Sequence, residues 1–243
     1  MMNCDPVTGA CLLPETRSAT QGPNPSPTTG LAVRYVGDPM CSWCWGISPA
    51  VQALAAFCSE RGLVFTLTMG GLRAGGGDPW SPAFKEFLRG EWRRIQQATG
   101  QPFGFGLLEL DHFDYDTEPA CRAVVTASLL ALAHGLPSSE SLAFFSATQR
   151  RFYVQGHDPK TADFYRGICD QVAIPFDEFR QVFGSQRARE AVARDFAQCR
   201  QWGVRSFPSL LLDRLGEVSL LSAGHVTTET LINRVQSRLG AHR

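Results

Sequence analysis

The stretch VRYVGDPMCSWCWGISPAVQALAAF, residues 33–57, decides the fold of this chain. Its opening residues end an apolar run that is typical of a short buried strand, and Pro39 interrupts that run. From Ser42 onward, apolar residues recur at three- and four-residue steps, which predicts a helix. Cys41 and Cys44 therefore lie between a strand and the first turn of the helix that follows it.

The rest of the chain predicts an α/β fold that is interrupted by helices. An apolar run ending in glycines, at residues 63–71, is typical of a second strand, so the chain opens as strand, helix, strand. Residues 72–185 show helical patterns punctuated by Gly and Pro and no strand pattern. A helix, two strands and a last helix are predicted from residue 186 onward. Without the helical block the order is β-α-β-α-β-β-α, which is one α/β layer with an all-helical insertion.

The composition is that of an ordinary globular protein. The 243 residues are 44% hydrophobic and 19% charged, with a formal net charge of zero. There is no basic stripe of the kind that binds nucleic acid, and no apolar run approaches the roughly 20 residues that span a bilayer. We therefore expect neither a nucleic-acid partner nor a membrane partner.

Residues 1–30 predict a flexible tail, because they are rich in Pro, Thr, Ser and Gly. They lack the basic start and apolar stretch of a secretory signal peptide, so a cytoplasmic location is expected. Thiols stay mostly reduced in that compartment, which argues against a disulfide scaffold. Four further cysteines lie in apolar helical patterns and are expected to be buried small hydrophobic residues: Cys58, Cys121, Cys169 and Cys199.

The position of Cys41 and Cys44 predicts a redox pair. Free backbone N–H groups and the helix dipole favour a negative charge at a helix N-terminus, so we expect a lowered pKa for Cys41. Cys44 lies one turn further along on the same side, where its sulfur can reach Cys41. These positions indicate Cys41 as the nucleophile and Cys44 as the resolving thiol.

Two other interpretations of the pair are open from the residues alone. A structural zinc site needs a second pair of ligands, and the chain has no other Cys-x-x-Cys and no His-x-x-x-His. Cys4 and Cys11 could supply two ligands only from the predicted tail, so no metal is expected. The remaining interpretation is that the two thiols are neighbours by coincidence.

The motif DPMCSWCWG resembles the active-site stretch of DsbA-like thiol–disulfide oxidoreductases, most closely the FrnE-like subgroup of predicted protein-disulfide isomerases. The stretches GGLRAGG and YDTEPACRAVV resemble that subgroup as well. The resemblance implies a thioredoxin-like domain at 31–71 and 186–243 with a helical insertion domain at 72–185. It also implies cysteine-containing proteins or peptides as partners, and no cofactor beyond the redox-active disulfide, with glutathione as a candidate co-substrate.

The segment GVRSFPSLLL, residues 203–212, resembles the cis-proline segment of thioredoxin-like proteins. By that resemblance Pro208 is the cis-proline, and the backbone of Phe207 is free to pair with an extended peptide. Met40, Trp43 and Phe207 are then expected to form a shallow apolar rim that binds substrate. Trp45 is expected to belong to the core.

The motif departs from the family in the residues around the cysteines. Ser42 and Trp43 stand where periplasmic DsbA has a Pro-His pair, so an oxidising potential is not carried over. Tyr35 occupies the spacing of the buried carboxylate of thioredoxin. Asp38 is the nearest carboxylate, and both proton transfer and a turn or cap role are open to it. Arg205 either faces the dithiol or lies on the surface.

Cys4 and Cys11, in CDPVTGAC, form a second candidate pair. Pro and Gly between them allow the chain to turn back so that the sulfurs can meet. Both an auxiliary redox pair that exchanges with Cys41–Cys44 and an inert tail are open.

The sequence thus predicts a thiol–disulfide oxidoreductase or isomerase that acts on protein disulfides. One rival is a glutathione-dependent enzyme of similar topology, such as kappa-class glutathione transferases and hydroxychromene-carboxylate isomerases. These enzymes generally carry a single reactive serine, whereas this chain has an intact Cys-x-x-Cys. The other rival is a polypeptide-binding module without redox turnover.

Overall fold

The computed structural model describes residues 3–5, 7–13 and 30–240. The strands in these ranges are β1 (Asn3–Cys4), β2 (Cys11–Leu12), β3 (Leu31–Gly37), β4 (Val64–Met69), β5 (Ser206–Phe207), β6 (Ser209–Arg214) and β7 (Glu217–Ala223). The α-helices are α1 (Ser42–Gly46), α2 (Ser48–Glu60), α3 (Pro82–Thr99), α4 (Glu118–Ala133), α5 (Ser139–Tyr153), α6 (Arg166–Gln171), α7 (Phe176–Phe183), α8 (Gln186–Gln201) and α9 (Thr228–Gly240). Short 3₁₀ helices lie at Gly106–Glu109 and Ala162–Tyr165.

The main sheet has the strand order β4-β3-β6-β7. β3 runs parallel to β4, and β6 runs antiparallel to both β3 and β7. Five helices, α3 to α7, follow β4 before α8 leads the chain back to the sheet. This order confirms the predicted α/β layer with an all-helical insertion.

Helices pack on the main sheet at β4, next to the strand that leads to the site. α2 packs on α9 and on β4, while α8 packs on β4 and α4. Their apolar residues, together with Val33, Tyr35 and Val36 of β3, belong to one continuous buried cluster. The end of β3 is therefore buried inside the protein.

The predicted single helix after Cys41 is two helices in the structure. α1 ends at Gly46 and α2 begins at Ser48, with Ile47 between them. Pro49 lies in the first turn of α2, where the N–H that proline lacks would have no partner within the helix. In a continuous helix its ring would clash with the carbonyl group four residues earlier, so the helix is interrupted. The dithiol therefore sits on a separate helix of five residues.

The described N-terminal residues pair as strands, which the sequence analysis did not predict, and the flexibility of the tail stays a prediction. β1 pairs with β2, and β2 pairs with β5. The sequence pattern missed this because two-residue strands carry no periodicity and because β5 lies far along the chain. Residues 1, 2, 6 and 14–29 of the predicted tail lie outside the described residues. The domain boundaries at 30/31, 71/72 and 185/186 stay a prediction.

None of the described helices is both long and apolar enough to cross a membrane.

We predict that Leu54→Ala lowers the free energy of unfolding by about 2–5 kcal/mol, because Leu54 is fully buried in α2 and its truncation leaves a cavity. Leu132→Ala is the matched control. Leu132 is 80% exposed on α4, so its truncation should change the free energy by no more than about 0.5 kcal/mol. Urea unfolding followed by circular dichroism measures both. Similar losses for the two variants would contradict this view of the core.

Candidate dithiol active site

The pairing of β3 with β6 brings together the two distant segments that form the site. Val36, near the end of β3, pairs with Ser209, the first residue of β6. The turn that follows β3 is closed by a hydrogen bond from the Cys41 N–H to the Asp38 carbonyl oxygen, at 3.0 Å. The Cys-x-x-Cys motif and the proline loop therefore face each other at one end of the sheet.

Cys41 is the N-cap residue of α1, and Cys44 lies in the first turn. The Cys44 thiol lies within hydrogen-bonding distance of the Cys41 thiol, and this contact favours the protonated form of Cys41, whereas the Cys44 backbone N–H donates to the Cys41 sulfur. The two sulfurs are thus neighbours on one turn, as the sequence predicted, and both residues are fully buried. This contact is the geometry that a dithiol needs in order to close into a disulfide.

The Phe207–Pro208 peptide bond is cis, which is the isomer implied by the family resemblance. The Cys41 Sγ donates a weak hydrogen bond to the Phe207 carbonyl oxygen, at 3.8 Å across 166 residues of sequence. The Phe207 ring packs against Gly70, where any side chain would collide with it. The backbone of Phe207 is therefore fixed beside the nucleophilic sulfur.

The predicted lowering of the Cys41 pKa is wrong for this arrangement. Burial raises the pKa of Cys41 well above its usual value, and the thiol of Cys44 and the charge of Asp38 raise it further. The Cys44 backbone N–H acts in the expected direction, since it lowers the pKa, but it does not outweigh the loss of solvent. The helix N-terminus could be predicted from the sequence, whereas the burial of Cys41 could not.

Tyr35 occupies the position at which thioredoxin has a buried carboxylate. It is fully buried, and its hydroxyl lies beside the Cys44 thiol. Among the described residues, no nitrogen or oxygen atom forms a hydrogen bond with that hydroxyl. Burial, followed by the proximity of Cys44, raises the pKa of Tyr35 well above its usual value. Tyr35 is therefore a neutral neighbour that can donate a proton or a hydrogen bond to the second sulfur.

Asp38 ties the catalytic turn to two other segments. Its Oδ1 accepts the Met40 N–H at 2.8 Å, and its Oδ2 accepts the Leu72 N–H at 2.7 Å. The Cys121 thiol also donates to Oδ2, at 3.5 Å. Burial raises the pKa of Asp38 against the opposing effect of these hydrogen bonds and of Thr117. The predicted turn and cap role is thus present, and the carboxylate is close enough to Cys41 to affect its charge.

The predicted exposed rim does not exist in this arrangement, because Met40, Trp43 and Phe207 are all buried. The Met40 carbonyl oxygen accepts the Tyr115 hydroxyl at 2.9 Å. Phe207 is covered by β2, and the ring of Trp43 is covered by the turn before β2. Their role in binding substrate stays a prediction, and it requires that this cover moves.

Trp45 belongs to the core, as predicted, and its Nε1–H donates to the Pro102 carbonyl oxygen at 2.9 Å. His225, which sequence reasoning left without a role, lies beside Trp43 with the ring centres 5.4 Å apart. The Arg94 guanidinium lies over the ring of Trp43, 5.3 Å from the ring centre. Arg205 is exposed. His225 follows β7, Arg94 lies on α3 and Trp43 lies on α1, so the contact of these three residues arises from the fold and not from their spacing along the chain.

A cavity of about 320 Å³ opens beside the site. It is lined by the strand β2, the glycine-rich stretch that follows β4, and α8, with Leu12, Leu13, Gly71, Arg73, Phe196 and Arg200 among its residues. The glycine-rich stretch, GGLRAGG, is anchored at the site by the Leu72 N–H bond to Asp38. Leu12 and Leu13 of the N-terminal residues therefore form one wall of this cavity.

The four other free cysteines are buried, which confirms the prediction made for them: Cys58, Cys121, Cys169 and Cys199. Cys4 and Cys11 form a disulfide with each other. Within the described ranges, no group of three or more His, Cys, Asp or Glu residues could hold a metal ion.

No family model and no curated protein matches this sequence. Solved structures do match. A protein described as a "putative protein disulfide isomerase" from Nitrosomonas europaea is 30% identical with a TM-score of 0.77, over 88% of this chain and 100% of that chain. The cytosolic disulfide reductase DsbM from Pseudomonas aeruginosa is 26% identical with a TM-score of 0.67, over 86% of this chain and 100% of that chain; it has also been solved with GSH.

A 2-hydroxychromene-2-carboxylate isomerase matches at 14% identity and a TM-score of 0.55, over 86% of this chain and 95% of that chain. At that identity the likeness concerns the fold alone. Together these structures confirm the thioredoxin-like fold with its helical insertion.

We predict that Asp38→Asn shifts the alkylation of Cys41 to lower pH. At the alkaline pH where Cys41 titrates, Asp38 is ionised and disfavours the neighbouring thiolate, so neutralising it lowers the pKa of Cys41. The rate of iodoacetamide labelling of Cys41 as a function of pH, followed by mass spectrometry, measures the shift. Asp195→Asn is the control, since burial also raises the pKa of Asp195, to about 6, and it likewise accepts a backbone N–H. A shift toward higher pH in Asp38→Asn would contradict the prediction.

Proposed function

This chain belongs to the DsbA-like family of thioredoxin-fold disulfide oxidoreductases, and from that premise we propose that it exchanges disulfides with protein substrates through Cys41 and Cys44. The observation that carries the proposal is the contact of the two sulfurs on the first turn of α1, opposite the Phe207–Pro208 cis bond. The narrower assignment to the FrnE-like subgroup stays a prediction.

The proposed cycle begins when the Cys41 thiolate attacks a substrate disulfide. A mixed disulfide forms, and one substrate sulfur leaves as a thiolate. Cys44 then attacks the Cys41 sulfur, which releases the second substrate sulfur and leaves the Cys41–Cys44 disulfide. The Cys44 backbone N–H stabilises negative charge on Cys41, and Tyr35 is placed to exchange a proton with Cys44. The reverse sequence oxidises a substrate dithiol.

We propose reduction or isomerisation, rather than oxidation, as the direction of exchange. A strongly oxidising pair needs a stabilised thiolate in its reduced form, whereas burial here favours the neutral Cys41 thiol. The name of the matched DsbM, a cytosolic disulfide reductase, supports this direction and supports a cytoplasmic location. Its structure with GSH supports glutathione as the co-substrate that returns the pair to its reduced state.

The two rival functions are weaker for specific reasons. A glutathione-dependent transferase or isomerase needs one reactive group, and the paired sulfurs of Cys41 and Cys44 have no role in it. A binding module without turnover has no use for a buried dithiol that contacts the proline loop. We therefore propose cysteine-containing proteins or peptides as the partners.

We predict that Cys41→Ser reduces the glutathione-coupled reduction of insulin by at least about 10³-fold, to the uncatalysed rate, because the hydroxyl does not replace the nucleophilic sulfur. Cys44→Ser should instead accumulate a mixed disulfide between Cys41 and insulin, visible on a non-reducing gel, because nothing resolves it. Cys169→Ala is the matched control, since it changes a buried cysteine of α6 outside the site, and it should leave the rate unchanged.

Full activity in Cys41→Ser, or the absence of any trapped complex in Cys44→Ser, would refute the proposed function. Refolding of scrambled ribonuclease in a glutathione buffer separates isomerisation from simple reduction. An isomerase restores ribonuclease activity, whereas a reductase leaves the ribonuclease reduced.

A further inference from the structure

The N-terminal hairpin, described at residues 3–5 and 7–13, lies where an extended substrate peptide would pair. Its strand β2 adds antiparallel to β5, with Cys11 opposite Phe207 and Leu12 opposite Ser206. The Leu13 N–H extends this ladder with a hydrogen bond to the Arg205 carbonyl oxygen, at 2.9 Å. Strand addition of this kind is a common way of recognising extended peptides. The chain therefore presents its own segment to the residue that precedes Pro208.

The turn of the hairpin also contacts the rest of the protein closely. The His225 N–H donates to the Thr8 carbonyl oxygen at 2.8 Å. Gly9 has a φ of +64° and lies flat against Trp43, where an added Cβ would stand 2.9 Å from the indole ring. Asp5 shapes the turn from within, since its Oδ1 accepts the Val7 N–H at 2.8 Å. A small residue with left-handed backbone geometry is thus required at Gly9 for the hairpin to dock.

The docked hairpin carries a disulfide on the strand that pairs with Phe207. Cys11 is bonded to Cys4 and is fully buried. It pairs with Phe207, and the carbonyl oxygen of Phe207 is the atom that lies 3.8 Å from the Cys41 Sγ. A disulfide on an added strand, opposite the residue whose carbonyl oxygen contacts the reactive thiol, is placed as an extended substrate would be.

We propose that the Cys4–Cys11 hairpin is an intramolecular disulfide substrate of the Cys41–Cys44 pair, and that it acts as a built-in redox relay. The relay rests on the proposed function, because it uses the same nucleophile and the same resolving thiol.

The exchange balances within the chain. The Cys41 thiolate attacks the Cys11 sulfur, the Cys4–Cys11 bond breaks, and Cys4 leaves as a thiolate that takes up a proton. Cys44, having lost its proton, then attacks the Cys41 sulfur and releases Cys11 as a thiolate, which is protonated in turn. The Cys41–Cys44 pair is oxidised by two electrons, and the Cys4–Cys11 pair is reduced by two. The reverse reaction reoxidises the hairpin.

An external protein and the hairpin cannot use the strand edge of β5 at the same time. The hairpin covers Phe207 and Trp43, the residues expected to contact substrate. The two substrates therefore take turns at Cys41, and release of the hairpin opens the groove.

The first test traps the internal mixed disulfide in the full chain. The variant carries Cys44→Ser, which blocks resolution, and Cys58→Ala, which leaves Cys41 as the single cysteine of its tryptic peptide. After quenching with a maleimide, trypsin cleavage at Arg17, Arg34 and Arg61 separates residues 1–17 from residues 35–61. We expect mass spectrometry to find these two peptides joined through Cys11 and Cys41, with Cys4 alkylated.

The matched control adds Cys11→Ser to the same variant, which removes the hairpin disulfide and should abolish the joined peptides. The same trapping variant is also mixed with insulin. Joined insulin without any joined N-terminal peptide would overturn the relay and leave the proposed function standing. Neither product would overturn both.

The second test separates docking from the mere presence of a disulfide. Gly9→Ala should slow formation of the internal mixed disulfide by at least about tenfold, because the new methyl group meets Trp43 and the hairpin no longer seats. Gly62→Ala is matched to it, since Gly62 has a φ of +65° and nothing within 4 Å of an added Cβ. Gly9→Ala should also speed alkylation of Cys41 as its cover is lost. Equal rates of internal exchange in the two variants would overturn the relay.

Discussion

The antiparallel register of β3 with β6 is the constraint on which the site depends. Pairing Val36 with Ser209 fixes the end of one strand against the beginning of another, so that the turn leading to Cys41 meets the loop ending in Pro208. A slip of one residue would reverse the faces of every side chain on β6 and remove Phe207 from the dithiol. The chemistry thus rests on a backbone ladder between segments that are distant in the chain. The buried carboxylate of Asp38 reinforces that ladder by holding the catalytic turn against the glycine-rich stretch after β4.

Solvent exclusion and hydrogen bonding oppose each other at Cys41. The Cys44 backbone N–H is directed at the sulfur and favours the thiolate, whereas complete burial disfavours it, and burial dominates. The cover includes the protein's own N-terminal residues. In the proposed relay, the reactivity of Cys41 depends on the docking of the hairpin, because withdrawing it would return solvent to the sulfur while the N–H group stays in place.

The hairpin also accounts for the position of the second cysteine pair. Cys4 and Cys11 form their disulfide within a turn shaped by Asp5, and the closed hairpin offers one strand to β5. Two-residue strands have little stability on their own, so the hairpin depends on the edge that it covers. In the proposed relay, that dependence would allow one surface to serve an internal and an external disulfide in turn.

The sequence by itself determined the order of the main elements, the helical insertion and the closeness of Cys41 to Cys44, and the family resemblance pointed to a cis-proline at Pro208. These features are encoded locally, in apolar periodicity, in proline and glycine positions and in the spacing of two cysteines. Pro49 already indicated the break between α1 and α2, but the apolar periodicity continues across it and predicted one helix. Only the tertiary structure decided that residues 3–5 and 7–13 are docked, that Met40 and Trp43 are covered, and that Tyr35 and His225 lie beside the site. Burial depends on which distant segments meet, and the charge state of a sulfur follows its burial, so neither could be obtained from neighbours along the chain.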